Sequence, residues 1–328
     1  MKVIVPLAGK GTRLLPLTKR VPKPLVHVAG RPVMDYVMDT IAGFDVEELI
    51  VITGHLKQDV EHYITTHYQV PARFVEQKTL DGTAGAINLA RPWVDGPVLI
   101  IFVDTLFDAD LSLIRSSDAD GILWAKEVED YQRFGVIVTD GKGYMTRIVE
   151  KPDTPVSRLA NIGLYYIKDW RTLFDGIGQV LGRAAGKGGE YYLTDAFQYM
   201  VDQGRRLLVA NVGGWYDCGK VDTLLETNEH LLRNGRALVP APQPGVVIRG
   251  PVRIEPGVTL VECTVGPNVT VEAGSVIERS TVERSILGRQ VMVRGSTVSG
   301  SVIGDHQSLE GLTVRDSVMD GSEIVAAK

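Results

Sequence analysis

Directly behind a short apolar run, the chain places Ala8-Gly9-Lys10-Gly11-Thr12-Arg13, and Lys23 follows soon after. Two glycines let the backbone come close to a ligand and turn its N–H groups toward anionic oxygens. Lys10, Arg13 and Lys23 add positive charge at short range, and a guanidinium can grip two phosphate oxygens at once. The chemistry on offer is the holding of a polyanion. A dinucleotide fingerprint needs a third glycine where Leu14 stands, and the Walker A pattern is absent. A purely structural Gly-rich turn stays open at this point.

Other residues could carry chemistry further along. Asp104 ends the run Val98–Phe102, and Asp217 lies in Trp215-Tyr216-Asp217-Cys218-Gly219. Both are hard oxygen donors of the kind magnesium takes, and each alone is equally a cap or turn residue. Asp108 and Asp110 are neighbouring alternatives to Asp104. Gln77 precedes Gly82-Thr83-Ala84 and carries an amide that both accepts and donates. Glu150-Lys151-Pro152 sets a carboxylate beside an ammonium. The two cysteines, Cys218 and Cys263, are far apart, in no metal-ligand spacing, and read as buried free thiols of a reducing compartment.

Alternating strands and helices must position these groups. Val3–Leu7, Leu49–Thr53 and Val98–Phe102 have strand length and β-branched composition, as do Gly121–Val128, Phe134–Thr139, Arg147–Val149, Asn161–Ile167 and Leu207–Asn211. Val33–Ala42, Lys57–His67, Thr83–Leu89, Thr194–Gln203 and Val221–Arg233 suit helices. Such alternation argues a mostly parallel sheet covered on both faces, whose ligands sit beyond the carboxyl ends of the strands. Leu7–Arg13 and Asp104 then share one rim.

The pattern changes after Asn234. Leu238–Gly245 reads LVPAPQPG, a linker signal. A repeat of 16 residues follows, as in STVERSILGRQVMVRG (Ser280–Gly295) and STVSGSVIGDHQSLEG (Ser296–Gly311). Single Val, Ile or Leu residues recur every five or six positions, which suits one inward side chain on each flat side of a three-sided coil. The repeat resembles the left-handed parallel β-helix of hexapeptide-type proteins.

The 328 residues are 44% hydrophobic and 23% charged, with 35 basic and 40 acidic side chains and a formal charge of −5. That balance gives no general attraction to nucleic acid or to an anionic membrane, so phosphate binding must be local. No apolar run has the length of a membrane span, and the short apolar start is broken at Gly9 and Lys10, so a cytoplasmic location is expected.

Gly11-Thr12-Arg13-Leu14-Leu15-Pro16-Leu17-Thr18, followed by Val21-Pro22-Lys23-Pro24-Leu25-Val26, resembles the signature of sugar-1-phosphate nucleotidyltransferases, and the likeness runs through most of residues 1–235. It implies a Rossmann-like, mixed but mostly parallel α/β sheet of the nucleotide-diphospho-sugar transferase type. It further implies Arg13, Lys23 and Asp104 as catalytic residues. Asp104 and Asp217 become the ligands of Mg²⁺. Leu7, Ala8, Gly9, Gly11, Thr12, Gln77 and Gly82 become nucleotide contacts, with the Gln77 amide on N3–H and O4 of uracil or thymine. Gly135, Glu150, Lys151, Asn161 and Gly163 become sugar phosphate contacts. Glu190 is a further sugar-pocket candidate, while capping around Thr194 explains that segment equally well.

One departure stands out: Val103 occupies a position that is usually glycine in the family. The resulting expectation is three regions: a catalytic domain at 1–235, a linker at 236–245 and a β-helix at 246–328. The substrates are a nucleoside triphosphate, dTTP or UTP, and a sugar 1-phosphate. Glucose 1-phosphate leads, with the N-acetylglucosamine and mannose compounds open, and a homo-oligomer is expected. Two alternatives stand beside it: a second, acyltransferase activity using His306, and a non-catalytic regulatory relative, to which only Val103 points.

Overall fold

The structure is a computed structural model and describes residues 1–327. The chain divides into two compact units, one made of Met1–Gly9 and Val37–Trp215, the other of Lys10–Tyr36 and the chain from Tyr216 onward.

The first unit is built on a nine-stranded sheet. Its strands are β1 (Lys2–Pro6), β2 (Glu48–Thr53), β3 (Ala72–Glu76), β4 (Val98–Ile101), β5 (Gly121–Glu127), β6 (Gly135–Thr139), β7 (Met145–Glu150), β8 (Leu159–Ile167) and β9 (Leu207–Asn211). They are ordered β7-β6-β8-β4-β1-β2-β3, and β5 pairs with β8 and β9. β1 runs parallel to β2 and β4, β2 to β3, and β5 to β9. β8 runs antiparallel to β4, β5 and β6, which makes the sheet mixed. The parallel strands are unbroken apolar runs because both faces are covered: Val3, Ile4, Leu49–Ile52 and Val98–Ile101 are fully buried. Helices α1 (Lys57–His67), α2 (Thr83–Asn88), α3 (Trp170–Leu181) and α4 (Leu193–Asp202) belong to this unit. Phe174 and Ile177 of α3 join Phe197 and Met200 of α4 in one core with Ile100, Leu123 and Tyr165 of the sheet.

The anticipated strands and helices of this unit form, with ends shifted by a residue or two. Elements also form without having been anticipated, β3 and α3 the longest among them. β3 is an edge strand carrying Arg73 and Glu76, so it has little apolar signal. α3 contains Gly176 and Gly178, yet an Asp169 cap accepting from the Thr172 N–H at 3.2 Å starts it and Leu173, Phe174, Ile177 and Val180 anchor it.

In the second unit the repeat winds into a parallel β-helix whose short strands stack into three sheets. Val282, Val298 and Val314 lie in register in one sheet, Leu287, Ile303 and Met319 in the second, Ile277, Val293 and Leu309 in the third. All nine are buried. The serines of the repeat tie coil to coil at the corners. Ser280 Oγ accepts the Ser296 N–H at 3.0 Å, and Ser296 Oγ accepts the Leu312 N–H at 2.9 Å. Glu323–Ala326 folds back antiparallel on Ser317–Asp320 and covers the edge that the last coil would leave open.

The same unit holds the segment 10–36 and helix α5 (Val221–Leu231). Asn228 of α5, wholly buried, takes the Ala29 N–H at 3.0 Å and the Thr270 hydroxyl of the β-helix at 2.7 Å through one side-chain oxygen. His27 Nδ1 lies 3.0 Å from the buried Glu272 Oε1. Thus the segment bearing Arg13 and Lys23 is tied to the β-helix by hydrogen bonds on buried groups.

Candidate active site

In the first unit the candidate residues lie at strand ends. Leu7 and Ala8 follow β1 and are buried, and the Leu7 N–H donates to Ile52 O at 2.7 Å. Gly54 lets the chain pass close, since a Cβ there would sit 2.7 Å from Ala8 O. Gly9 is different: it is exposed, and a Cβ on it would meet nothing within 4 Å. Packing does not demand glycine at that position, and the exposed backbone there is open to approach.

Gln77 follows β3 and is 8% exposed. Its Nε2 donates to Asp81 Oδ1 at 2.9 Å and to Gly82 O at 3.3 Å. Gly82 has φ +108°, and a Cβ there would lie 2.4 Å from Tyr191 O, so only glycine fits. Both amide hydrogens are thereby engaged, so the expected donation to a base O4 has no hydrogen left in this arrangement, and the accepting oxygen is the part of the Gln77 head that stays open.

Gly135, Glu150 and Asn161 converge. Gly135 opens β6 and stands opposite Glu150, the last residue of β7, while Asn161 comes from β8. A Cβ on Gly135 would lie 2.4 Å from Asn161 Nδ2, 2.7 Å from Glu150 Oε2 and 3.0 Å from Thr194 Cγ2. The missing side chain is what admits all three. Asn161 Nδ2 donates to Gly135 O at 2.8 Å, and the Tyr165 hydroxyl donates to Asn161 Oδ1. Tyr165 is buried, which pushes its phenol up, so it stays a donor. Burial raises the Glu150 carboxyl above its ordinary value, partly offset by the Thr194 hydroxyl at 3.1 Å and the charge of Lys151. Lys151 holds φ +43°, rare for a non-glycine residue, with its ammonium 4.9 Å from the Tyr192 ring centroid. Gly163 also has positive φ (+79°), and a Cβ there would press on Phe102 at 2.9 Å.

Three residues of this cluster escaped the sequence reading: Thr194, Tyr165 and Tyr192. Thr194 does not cap α4. The cap residue is Tyr192, and the Leu193 N–H is met by Thr83 Oγ1 at 2.9 Å, which frees Thr194 for Glu150. Its place in a Glu-Tyr-Tyr-Leu-Thr-Asp stretch was the one available signal. Glu190 is exposed. Asp104 follows β4 and is partly buried, whereas Val103 beside it is 4% exposed and offers almost no surface to a ligand.

The second unit carries the basic loop and the other carboxylate. Gly11 adopts φ +62°, a conformation that favours glycine, and the chain then makes a tight turn over Thr12–Leu14. Buried Leu14, Leu17 and Pro24 pin the loop from below while Thr12 and Arg13 stay exposed. The Thr18 hydroxyl donates to Gly11 O at 2.8 Å, and a Cβ on Gly11 would lie 3.3 Å from Lys23 Cβ. The backbone fold, not sequence distance, therefore brings Lys23 to the glycine turn. Asp217 is pre-oriented: Oδ1 takes the Gly219 N–H at 2.7 Å and Oδ2 the Thr223 hydroxyl at 3.1 Å. A Cβ on Gly219 would lie 2.8 Å from that Oδ1 and 3.4 Å from Lys23 Nζ, so Gly219 leaves room for an ammonium and a carboxylate on the same side.

Among the described residues no three His, Cys, Asp or Glu side chains gather as a metal cage. His306 is exposed at a β-helix corner with φ +60°, in the position that Gly274 and Gln290 hold in preceding coils. No described helix is long and apolar enough to cross a membrane.

Known proteins resemble the chain over this same region. A bifunctional protein GlmU of Methanococcus aeolicus is 34% identical over 78% of the chain, which spans only 61% of that relative's length. A glucose-1-phosphate thymidylyltransferase of Streptomyces griseus is 26% identical over 90% of the chain and 89% of its own length. Among solved structures, UDP-glucose pyrophosphorylase complexed with UDP-glucose superposes with a TM-score of 0.63 at 26% identity, covering 71% of this chain and 98% of that one. The family model described as nucleotidyl transferase matches residues 2–234, and the chain belongs to that family.

Proposed function

We propose that the protein transfers a nucleotidyl group from UTP or dTTP to a sugar 1-phosphate, with glucose 1-phosphate preferred, and releases pyrophosphate. The observation that carries this reading is the convergence of Glu150, Asn161 and Thr194 over Gly135. A carboxylate, an amide and a hydroxyl, oriented by one another beside Lys151, suit sugar hydroxyls next to a phosphate. The likeness to a glucose-1-phosphate thymidylyltransferase and to UDP-glucose pyrophosphorylase complexed with UDP-glucose points the same way.

In the reaction an oxygen of the sugar phosphate attacks the α-phosphorus. A new P–O bond forms, the bond to the β-phosphate oxygen breaks, and its electron pair leaves with pyrophosphate. Both reactants are anions, so catalysis is mainly positioning and charge stabilisation, without a covalent enzyme intermediate. Arg13 grips the β- and γ-phosphates, the exposed backbone of Gly9 and Gly11 admits phosphate oxygens, and Lys23 neutralises charge at the reacting phosphate. Asp104 and Asp217 are the ligands of Mg²⁺. Asp217 suits that role because its carboxylate is already held by Gly219 and Thr223. When bound, the ion supplies Lewis acidity toward phosphate oxygens.

Residues 1–235 form the catalytic domain in this reading, 236–245 a linker and 246–328 a supporting β-helix. A homo-oligomer joined through the β-helix is part of this reading. Two buried thiols outside any disulfide, together with the triphosphate substrate, support a cytoplasmic location. The deciding experiment is pyrophosphate release across a matrix of five triphosphates and three sugar 1-phosphates. Activity with UTP or dTTP and glucose 1-phosphate is expected, and no turnover with any pair refutes the reading. Acetyl-CoA consumption lost on His306→Ala would establish the second activity. An unchanged oligomer mass after truncation at Gly245 would remove the β-helix from assembly.

A further inference from the structure

Gln77 is held more tightly than contact with a base requires. Its backbone N–H donates to Thr53 O at 2.8 Å, and both hydrogens of its amide go to acceptors, Asp81 Oδ1 at 2.9 Å and Gly82 O at 3.3 Å. Its Oε1 takes no hydrogen bond from any described residue. An ionised carboxylate and a backbone carbonyl only accept. Turning the amide end for end would set Oε1 against two acceptor oxygens. The orientation of the Gln77 head is therefore dictated by these two acceptors and not by Gln77 itself, and Asp81 supplies the shorter bond and the one side chain of the pair.

Asp81 is in turn a fixed point. Its N–H donates to Thr79 O at 3.0 Å, and its carbonyl accepts the Tyr191 N–H at 2.7 Å. The next turn is locked where the Ala84 N–H donates to Tyr191 O at 2.9 Å. The carboxylate lies in a space that exists because residue 85 is glycine: a Cβ there would be 2.1 Å from Asp81 Oδ1 and 2.6 Å from Oδ2.

We infer that Asp81 is the positioning residue that sets base selectivity. By holding the amide nitrogen of Gln77, it leaves the Oε1 carbonyl to meet the base. The site then takes a pyrimidine whose ring N3 carries a hydrogen, uracil or thymine, and rejects cytosine, whose N3 is an acceptor and would face Oε1 unpaired. This rests on the reading of Gln77 as a base contact.

The test uses the full-length chain with Mg²⁺, comparing UTP with CTP both in turnover with glucose 1-phosphate and in equilibrium binding. Wild type is expected to favour UTP by about 100-fold or more. Asp81→Asn offers Gln77 an N–H₂ group as well as a carbonyl, so the amide can turn over, and the UTP-to-CTP ratio should fall by about tenfold or more. Gly85→Ala is favourable for a helix interior yet displaces the carboxylate, and should lower the ratio in the same direction. A residue that merely anchors the loop would weaken both nucleotides together. Ratios within about twofold of wild type in both variants overturn the inference. Where Asp81→Asn fails to fold, Gly85→Ala alone decides. Absence of turnover with tight UTP binding counts against the proposed reaction and leaves the binding ratio to judge Asp81. Failure to bind either nucleotide overturns both.

Discussion

The nine-stranded sheet and the β-helix both contain parallel strand pairs, but they treat strand ends in opposite ways. In the sheet every strand has its own sequence and its own exit. β3 delivers Gln77, β7 delivers Glu150, β8 contributes Asn161, and the start of β6 supplies the gap at Gly135. In the β-helix the coils repeat, so each corner finds nearly the same residue above and below: serine bonds to the backbone next to serine, and valine lies on valine. Unlike groups converge in the first and like groups stack in the second. A catalytic cluster needs unlike partners within hydrogen-bond reach, whereas a stack of equal coils gives rigidity. Substitutions should accordingly change activity at convergence points and stability in the coils.

The largest break is expected at the carboxylates. Asp217→Asn keeps the shape that Gly219 and Thr223 hold but removes the charge, and should lower pyrophosphate release by about 10³-fold or more with the thermal midpoint little changed. Asp104→Asn should do the same. A variant retaining a tenth of wild-type turnover would remove that residue from the metal site. Gly135→Ala comes next. Its methyl would collide with Asn161 and Glu150, and a displacement costing about 1–3 kcal/mol should raise KM for the sugar phosphate by about 10- to 100-fold, leaving KM for the triphosphate unchanged. An equal rise for both substrates would show a general distortion instead of a sugar site.

A gentler probe is pH. Burial raises the Glu150 carboxyl, so it takes up its proton at a higher pH than an ordinary glutamate, near 4.3. A carboxylate that accepts from sugar hydroxyls loses that capacity when protonated. Binding of the sugar phosphate should thus weaken on acidification while unpaired glutamates are still ionised. The sign for stability is the reverse of a salt-bridged acid. With the folded pKa above the unfolded one, the native state holds the proton more tightly, so stability falls as pH rises between the two values. Glu150→Gln should flatten both the acid limb of sugar phosphate KM and this slope. An unchanged acid limb would assign it to another group, such as the substrate phosphate.

How far the sequence discloses these features follows the same division. The basic loop, Glu150-Lys151 and the 16-residue repeat are legible because their signal lies in contiguous residues. So are the parallel strands, because burial on both faces leaves unbroken apolar runs. β3 is not legible: at the edge of the sheet Arg73 can pair with Glu48 at 2.9 Å and lie over the Trp93 ring, so charge replaces apolar alternation. α3 hides behind Gly176 and Gly178, and its four-residue apolar face becomes decisive only when α4 covers it. Asp81, Thr194 and Tyr165 act through side-chain hydrogen bonds made across loops, and spacing along the chain does not encode those. Val103 is buried, a property that the residue's neighbours determine.

The smallest expected effect on catalysis comes from the β-helix, and it sharpens the comparison most. Val298 is wholly buried between Val282 and Val314, while its neighbour Thr297 points the other way and is partly exposed. Val298→Ala removes two methyl groups from a stack that cannot collapse without shifting the coils on either side. It should cost about 1.5–3 kcal/mol of stability. Thr297→Ala should cost less than about 0.5 kcal/mol. Turnover per folded molecule should be the same in both variants and wild type, because neither residue borders Arg13, Lys23 or Asp217 by any bonded contact. Denaturant unfolding followed alongside pyrophosphate release makes the check. Reduced turnover in fully folded Val298→Ala would mean that the coils do more than hold the support of the basic loop in place. The ties from Asn228 and Glu272 to the segment 10–36, at Ala29 and His27, would then be the route to examine.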